Sequence, residues 1–285
     1  MNICEKSNCT GCGSCFNICP TSAIEMVENE QGFIEPRIDE KKCINCGLCK
    51  NKCPSINSIK TEKIKETYAA TSKNNETVLK SSSGGIFSEI ANYVIENNGC
   101  VFGAAFDENL QVKHILIEKK EEISKLRGSK YIQSNTGTTY KAAQKELEKG
   151  RTVLYTGTPC QIAGLKSFLG KEYPSLITVD LICHGVPSQN FFNKYIEYIS
   201  KGKKIRNYNF RHKEKNDTNC MILTYKLNNK IIKIKNPFVD SYYYAFLNGY
   251  IYRDNCYQCK YANCNRIGDI TIRRFLGSKW ILWYV

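Results

Sequence analysis

"CTGCGSCFNICP" (residues 9–20) is echoed by "CINCGLCKNKCP" (residues 43–54), and both read C-x2-C-x2-C-x3-C-P. The eight sulfurs are Cys9, Cys12, Cys15 and Cys19, then Cys43, Cys46, Cys49 and Cys53. Thiolates two residues apart in a tight turn converge on one soft metal centre. Three in succession suit an iron–sulfur cube better than a lone zinc, which takes cysteines as separate pairs. In the two-cluster pattern the fourth cysteine of each run ligates the other cluster. The spacing therefore predicts one 4Fe-4S cluster on Cys9, Cys12, Cys15 and Cys53, and a second on Cys43, Cys46, Cys49 and Cys19. Small residues between the ligands (Gly11, Gly13, Ser14, Gly47) leave room for backbone amides to turn toward the sulfurs. The competing framework of disulfides belongs to small secreted domains with a signal peptide, features this sequence does not show.

A chain of 285 residues holds a ferredoxin-like module and one larger domain with its own core. Sixteen cysteines without an apolar export segment point to a reducing cytoplasm. No stretch approaches the roughly 18 apolar residues of a membrane span. The formal net charge is +14, yet residues 1–60 balance at seven basic and seven acidic. Residues 201–235 alone carry eleven basic and two acidic residues. Such a surface attracts anions: a phosphorylated cofactor, an acidic partner or nucleic acid. The plainer reading is a Lys/Asn/Ile-rich solvated face, since scattered lysines make no spaced phosphate-contact pattern.

The cluster module ends near Pro54, and "SINSIKTEKIKE" reads as a polar linker. Strand and helix patterns then alternate. "GGIFSEIANYVIENNG" is a helix with Gly99 at its C-terminal cap, "CVFGAAF" and "VKHILIE" are strands, and "TTYKAAQKELEKG" is a helix closed by Gly150. "TVLYTG", "PCQIAGLKSFLG", "LITVDLIC" and "SQNFFNKYIEYIS" continue as strand, helix, strand, helix. This alternation implies crossovers and a largely parallel sheet. After residue 204 the pattern changes to a hairpin turning at Asn228-Asn229, then a helix in "FVDSYYYAFLNG". The predicted fold is an α+β ferredoxin-like two-cluster module (1–58), an α/β domain with a largely parallel sheet (65–204) and a C-terminal hairpin/helix region (205–285).

Three places in the larger part carry chemistry. In "SSSGGIFSEI", Ser81 to Gly85 precede a helix whose free amides, with two glycines and serine hydroxyls, can cradle a phosphate. An ordinary serine cap on a Gly-rich turn explains the same letters. "YTGTPCQIAG" runs from strand to helix with Thr158 as N-cap, Pro159 at N1 and Cys160 in the first turn, where a thiol is activated as a metal or redox ligand. "DLICHGVP" sets Cys183 and His184 at the C-terminal end of a strand, where parallel sheets bind ligands. "NCYQCKYANC" supplies Cys256, Cys259 and Cys264. One CxxC pair needs partners, and Cys160 and Cys183 can provide them, for a cluster or for zinc. Cys4, Cys100 and Cys220 have no partner pattern and read as packing or surface thiols.

The double cysteine run, "KSSSGGIFSEI", "GCVFGAAFDENLQVKHI", "KLRGSKYIQS", "GTPCQIAGLKSFLG", "VDLICHGVPS" and "CYQCKYANCNRIGDITI" together resemble the coenzyme F420 hydrogenase/dehydrogenase beta-subunit family. The resemblance runs in order to Ile272. It implies FAD coupled to iron–sulfur clusters, with hydride passed between the flavin and coenzyme F420. It also implies that Ser82, Ser83, Gly84 and Gly85 hold the flavin phosphates. Lys130, Tyr131, Gln133, Thr156, Gly157 and Thr158 would line the flavin, and Cys160, Cys183, Cys256 and Cys259 would ligate a third 4Fe-4S cluster. A flavin splits a hydride's two electrons singly into cubanes.

The expected function is thus an iron–sulfur flavoprotein subunit of an oxidoreductase, working with a redox partner protein and a hydride carrier, coenzyme F420 or a nicotinamide. His184 is the histidine best placed for proton handling. Two rivals stand beside this: a flavin-free electron-transfer adaptor docking an acidic partner, and a cluster-containing nucleic-acid-binding protein using the 201–235 surface. The family pattern breaks after Ile272, and "RRFLGSKWILWYV" reads as an altered, exposed apolar end or else as a short buried strand.

Overall fold

The structure is a computed structural model that describes residues 2–214 and 217–274; the side chains of residues 217–221 are outside that description, Cys220 among them. Each cysteine run turns into a short helix: α1 (Ser14–Ile18) after Gly13, and α2 (Leu48–Asn51) after Gly47. Between them lies a hairpin of β1 (Ile24–Glu28) and β2 (Ile34–Ile38), antiparallel with Ile24 opposite Ile38. Asn29 closes its turn by accepting the Phe33 amide on Oδ1 at 2.9 Å. Ile3, Cys15, Ile24 and Cys53 form a small core between these pieces.

The larger part continues through α3 (Asn75–Leu79), α4 (Ile86–Glu96), β3 (Cys100–Phe106), β4 (Val112–Ile117) and α5 (Ile123–Leu126). Next come α6 (Thr139–Glu148), β5 (Val153–Gly157), α7 (Pro159–Leu169), β6 (Leu176–Leu181) and α8 (Gln189–Ser200). The remaining elements are β7 (Ile205–Glu214), β8 (Asp217–Leu227), β9 (Lys230–Ile234), α9 (Ser241–Leu247), α10 (Asp254–Tyr257) and β10 (Ile270–Ile272). One sheet has the order β10-β6-β5-β3-β4. Its first four strands are parallel, and β4 closes the edge antiparallel to β3.

Helices cover both faces of this sheet because its strands are apolar on both sides. On one face Phe102, Val153 and Tyr155 pack against Tyr140, Ile162 and Leu165 of α6 and α7. On the other, Val101, Leu154 and Val179 meet Ala91 and Val94 of α4 and Leu126 of α5. Each such large side chain contributes about 2 kcal/mol by leaving water. A second sheet, β7-β8-β9, buries Tyr208, Phe210 and Leu223 against Phe192 of α8 and Tyr242 of α9.

The sequence reading is met at most elements, with three differences. Strand β7 escaped it because its register against β8 shifts repeatedly, which breaks the two-residue alternation. Helix α4 ends at Glu96 with Asn97 as its cap, and Asn98, at φ 59°, takes the left-handed turn expected of Gly99. Region 205–285 is not separate from 65–204, since β10 pairs with β6. The hairpin does turn at Asn228 and Asn229, both with positive φ. The expectation for the apolar end concerns residues beyond 274, outside the described part. Among the described residues no helix is long and apolar enough to cross a membrane.

Candidate metal centres and cofactor site

Cys9, Cys12, Cys15 and Cys53, the set expected from crossed fourth ligands, line one cavity with Ile3, Cys4, Met26 and Pro36. The amides of Gly11 and Ser14 turn toward the sulfurs of Cys9 and Cys12, as expected of small intervening residues, and those of Ser55 and Ile56, beyond the run, turn toward Cys53. Contact with the Cys4 thiol brings Cys53 down to about 6, helped against burial by the Ser55 and Ile56 amides. The same contact lowers Cys9 to about 7, with burial opposing and the Arg253 charge assisting. Cys4 itself is driven upward by its contacts with Cys53 and Cys9. Burial pushes Cys12 up to about 11. Among the described residues, no three His, Cys, Asp or Glu side chains converge as tightly as a single ion needs. The soft donors of this ring of thiols and the amides turned toward them fit a cubane.

Cys43, Cys46 and Cys49 lie near enough for their charges to raise Cys49, after burial, above its ordinary value. Cys19 and Cys49 both border the small N-terminal core. The Cys19 sulfur accepts the Ala23 amide at 3.2 Å. This second set is more open, with Cys46 exposed.

The N-terminal pieces are fastened to the α/β sheet beside α7. Tyr140 donates its hydroxyl to the Cys12 carbonyl at 2.7 Å, and Thr136 adds a bond to the same oxygen at 3.2 Å. A β-carbon at Gly164 would sit 2.9 Å from Cys12 Cβ and 3.1 Å from its Sγ, so this glycine lets the cysteine loop touch the helix. Gly164 is one turn from Cys160, on the same face of α7. Thr158 caps that helix through a reciprocal box with Gln161, and its Oγ1 lies 3.1 Å from Cys160 Sγ. Cys160 is raised by burial with Cys183, Cys256 and Cys12 nearby, and Cys183 is pushed up to about 12 by burial with Cys256 and Cys259 nearby. The four cysteines expected to form a third group are therefore gathered at the ends of β5 and β6, next to the first cavity.

Two buried side chains between these groups were not singled out in the sequence. Arg253, 4% exposed, donates Nε to the Cys9 carbonyl at 2.6 Å and Nη1 to the Ile34 carbonyl at 3.1 Å. Its Nη2 makes no hydrogen bond, though Glu35 lies 3.6 Å away. Tyr261 has a buried hydroxyl without a partner and lies near Cys160, Cys12, Cys259 and Cys53. The unpartnered buried Tyr261 hydroxyl among these thiols suits the sulfurs of a cluster, and the Arg253 guanidinium puts a buried positive charge beside Cys9. Sequence offers only their closeness to the CxxC pair as a signal.

The expected flavin residues divide. Ser82 Oγ accepts the Ser129 amide at 2.7 Å, which joins the serine-glycine loop to "GSKYIQS". Lys213 reaches the Ser83 carbonyl at 2.5 Å, and Ser81 Oγ and Arg211 Nε are buried without partners. That donor set fits an anion. The two glycines have another reason to be glycine. A β-carbon at Gly84 would stand 2.7 Å from the Ala70 carbonyl oxygen, and one at Gly85 3.0 Å from Thr77 Cγ2. The Lys130 ammonium bonds the carbonyls of Leu126, Arg127 and Gly128 at 3.2, 2.9 and 3.2 Å. Enclosure of that amine pushes it down to about 7, while the three carbonyls favour its charge. Tyr131 stacks on Phe246, and Gln133 turns to the N-terminal pieces, donating to the Thr10 carbonyl at 3.3 Å. Thr156 and Gly157 end β5, and Thr158 caps α7. His184 is exposed. The buried histidine is His114, lowered to about 4 by burial. It meets the Thr156 carbonyl through Nε2 at 2.9 Å, so Nε2 carries the proton and Nδ1 accepts from Ser134 Oγ at 2.7 Å.

A model described as 4Fe-4S dicluster domain matches residues 8–57. Models of the N-terminal and C-terminal parts of the coenzyme F420 hydrogenase/dehydrogenase beta subunit match residues 67–140 and 150–279. The coenzyme F420-dependent sulfite reductase of Methanocaldococcus jannaschii is 28% identical over 188 residues, 65% of this chain and 29% of that protein. A chain of the F420-reducing [NiFe] hydrogenase complex from Methanosarcina barkeri is 20% identical, with a TM-score of 0.43 over 61% of this chain and 62% of that one. The chain thus spans less than two thirds of either relative. The two beta-subunit models together cover well over half of it, and the chain belongs to the coenzyme F420 hydrogenase/dehydrogenase beta-subunit family, with a 4Fe-4S dicluster domain at the N-terminal side.

Proposed function

We propose that this chain is an electron-transfer subunit of an oxidoreductase that exchanges hydride at FAD with coenzyme F420 or a nicotinamide. In this reading Cys9, Cys12, Cys15 and Cys53 hold one 4Fe-4S cluster, and Cys43, Cys46, Cys49 and Cys19 a second. Cys160, Cys183, Cys256 and Cys259 hold a third. The family's own description and the name of the F420-dependent sulfite reductase it matches support the hydride carrier. Bound FAD would supply the conversion of a hydride pair into single electrons that the clusters accept.

The observation that carries the reading is the contact of Cys12 with α7 at Gly164, one turn from Cys160. It supports a transfer of electrons between the first and third groups, and the exposure of Cys46 supports the second set as the exit to a partner. Ser82 and Ser83, with Lys213 and Arg211 beside them, bind the phosphates. Thr156, Gly157 and Thr158 shape the floor at the end of β5, and neutral His114 holds that strand end by its bond to Thr156.

Anaerobic purification with iron, zinc and flavin analysis tests this, followed by reduction with NADH, NADPH, reduced ferredoxin and reduced F420. About twelve irons per chain, from four in each of three cubanes, and one FAD bleached by reduced F420 or a nicotinamide are expected. Full iron without flavin would replace this reading by a flavin-free adaptor. The engagement of Lys130, Tyr131 and Gln133 within the protein favours that alternative. Stoichiometric zinc would reassign the third group.

A further inference from the structure

Five cysteines, one more than a cubane takes, face the first cavity: Cys4 lines it with Cys9, Cys12, Cys15 and Cys53. Cys4 lies outside the x2 register of the run, so spacing alone makes it a bystander. The fold holds it in place. The chain from residue 5 to residue 9 is a tight turn, with the Asn8 amide on the Glu5 carbonyl at 3.0 Å and the Cys9 amide on the Lys6 carbonyl at 3.1 Å. Ser55, two residues after Cys53, donates its hydroxyl to the Asn8 carbonyl at 2.7 Å, and Asn255 Nδ2 donates to the same oxygen at 3.2 Å. These bonds clamp the turn carrying Cys4 against the segment carrying Cys53. Cys4 also packs in the N-terminal core beside Cys15 and Cys53, and of the cavity's cysteines Cys53 and Cys9 act most strongly on its thiol.

We propose that Cys4 is a spare ligand of the first cluster, able to take the iron position of Cys53 or of Cys9. The proposal rests on the cluster reading given above. In the exchange a bond from iron to Cys4 would form as the bond to Cys53 breaks, and the Cys4 proton would pass to the released Cys53 thiolate on the same cavity. No electron is gained or lost, and the net charge of the site is unchanged. A site built this way would keep its cluster when Cys53 or Cys9 is lost.

The test uses the full chain, purified anaerobically, with iron and acid-labile sulfide per chain and low-temperature EPR of the dithionite-reduced protein. Cys4→Ala is expected to keep wild-type iron. Cys53→Ala and Cys9→Ala are each expected to keep that iron too, with an altered EPR line shape for one cluster. The pairs Cys4→Ala/Cys53→Ala and Cys4→Ala/Cys9→Ala should lose about four irons, one cubane, as should Cys12→Ala alone. Using both Cys53 and Cys9 keeps the test decisive if one variant does not accumulate as folded protein. Single variants that lose as much iron as the pairs would overturn the proposal. Wild-type protein with no cluster bound by the N-terminal cysteines would instead remove the cluster reading itself.

Discussion

The two cysteine runs share a spacing and differ in nearly everything around it. In the first cavity Cys12, Cys15 and Cys53 are each 8% exposed, the Cys12 carbonyl takes bonds from Tyr140 and Thr136, and a buried guanidinium reaches the Cys9 carbonyl. In the second, Cys46 is exposed, and Ile44 beside it is 63% exposed. The repeat specifies ligands, while the surroundings are specified by residues 120 or more positions away. Cluster potential depends on hydrogen bonds, charge and solvent exposure. One motif used twice can therefore give an inner relay and an outer contact point with different properties.

The largest separation between the two is expected from ligand removal. Cys12→Ala should lose about four irons, one cubane, together with the inner wall where the N-terminal pieces meet α7, and should lower the thermal midpoint. Cys46→Ala should lose the same iron with little change in the midpoint, because its surroundings are solvent. Equal falls in the midpoint, measured by calorimetry on anaerobic protein, would erase the distinction between inner and outer sites.

A finer contrast lies in Gly13, which follows Cys12 as Gly47 follows Cys46. Gly13 has φ +81°, and a β-carbon on it would stand 2.6 Å from Thr136 Oγ1. Gly13→Ala therefore carries a left-handed penalty and a steric one. The first is about 1 to 2 kcal/mol and the second about 1 to 3 kcal/mol. Chemical denaturation should show a loss of about 2 to 5 kcal/mol from these two causes. A loss under about 1 kcal/mol would mean that the docking surface gives way freely.

How much of this was legible follows from how local each cause is. The eight cysteines sit in short windows, and ligand geometry over two or three residues is written in the spacing. The cap of α7 was equally readable, since Thr158, Pro159 and Gln161 act within one turn. Cys4 was dismissed because its place depends on the bond from Ser55 to Asn8 across the module. Arg253 bonds the Cys9 carbonyl and Tyr261 lies near Cys12 and Cys53, all far back along the chain, and only the nearby CxxC pair hints at either role. Gly84 and Gly85 show an ambiguity that sequence cannot resolve, because a pair of glycines before a helix serves a phosphate or a close-packed chain equally well. His184 drew attention by standing at a strand end, yet it faces solvent, and His114 on the edge strand β4 is enclosed by bonds to Ser134 and Thr156.

Arg253 gives a comparison in potential rather than stability. Reduction adds negative charge to a cluster, and a buried guanidinium nearby stabilises the reduced form. Arg253→Gln should lower the midpoint potential of the inner cluster and leave the outer one unchanged. A tenfold fall in the reduced-to-oxidised ratio at a fixed potential is expected, about 59 mV for one electron, read by EPR-monitored titration. Arg253→Lys keeps the charge while losing the fork, and should recover part of the shift. Equal shifts in both clusters would show a global disturbance rather than a local charge.

The smallest effect belongs to Gly47, and its value is as the counterpart of Gly13. Its φ is +74°, close to that of Gly13, but a β-carbon there meets nothing within 4 Å. Gly47→Ala thus imposes backbone strain alone. The left-handed penalty is partly offset because alanine also restricts the unfolded chain, leaving a loss of about 1 kcal/mol. Subtracting it from the Gly13→Ala loss cancels the shared conformational cost and isolates the contact with Thr136. The pair Gly13→Ala/Thr136→Ser keeps the Thr136 oxygen and should recover little, whereas Gly13→Ala/Thr136→Ala removes that oxygen and should recover most of the difference. If Gly47→Ala costs as much as Gly13→Ala under the same denaturant, the two turns are equally confined. The exposed second set would then be packed against something in solution that its own chain does not supply.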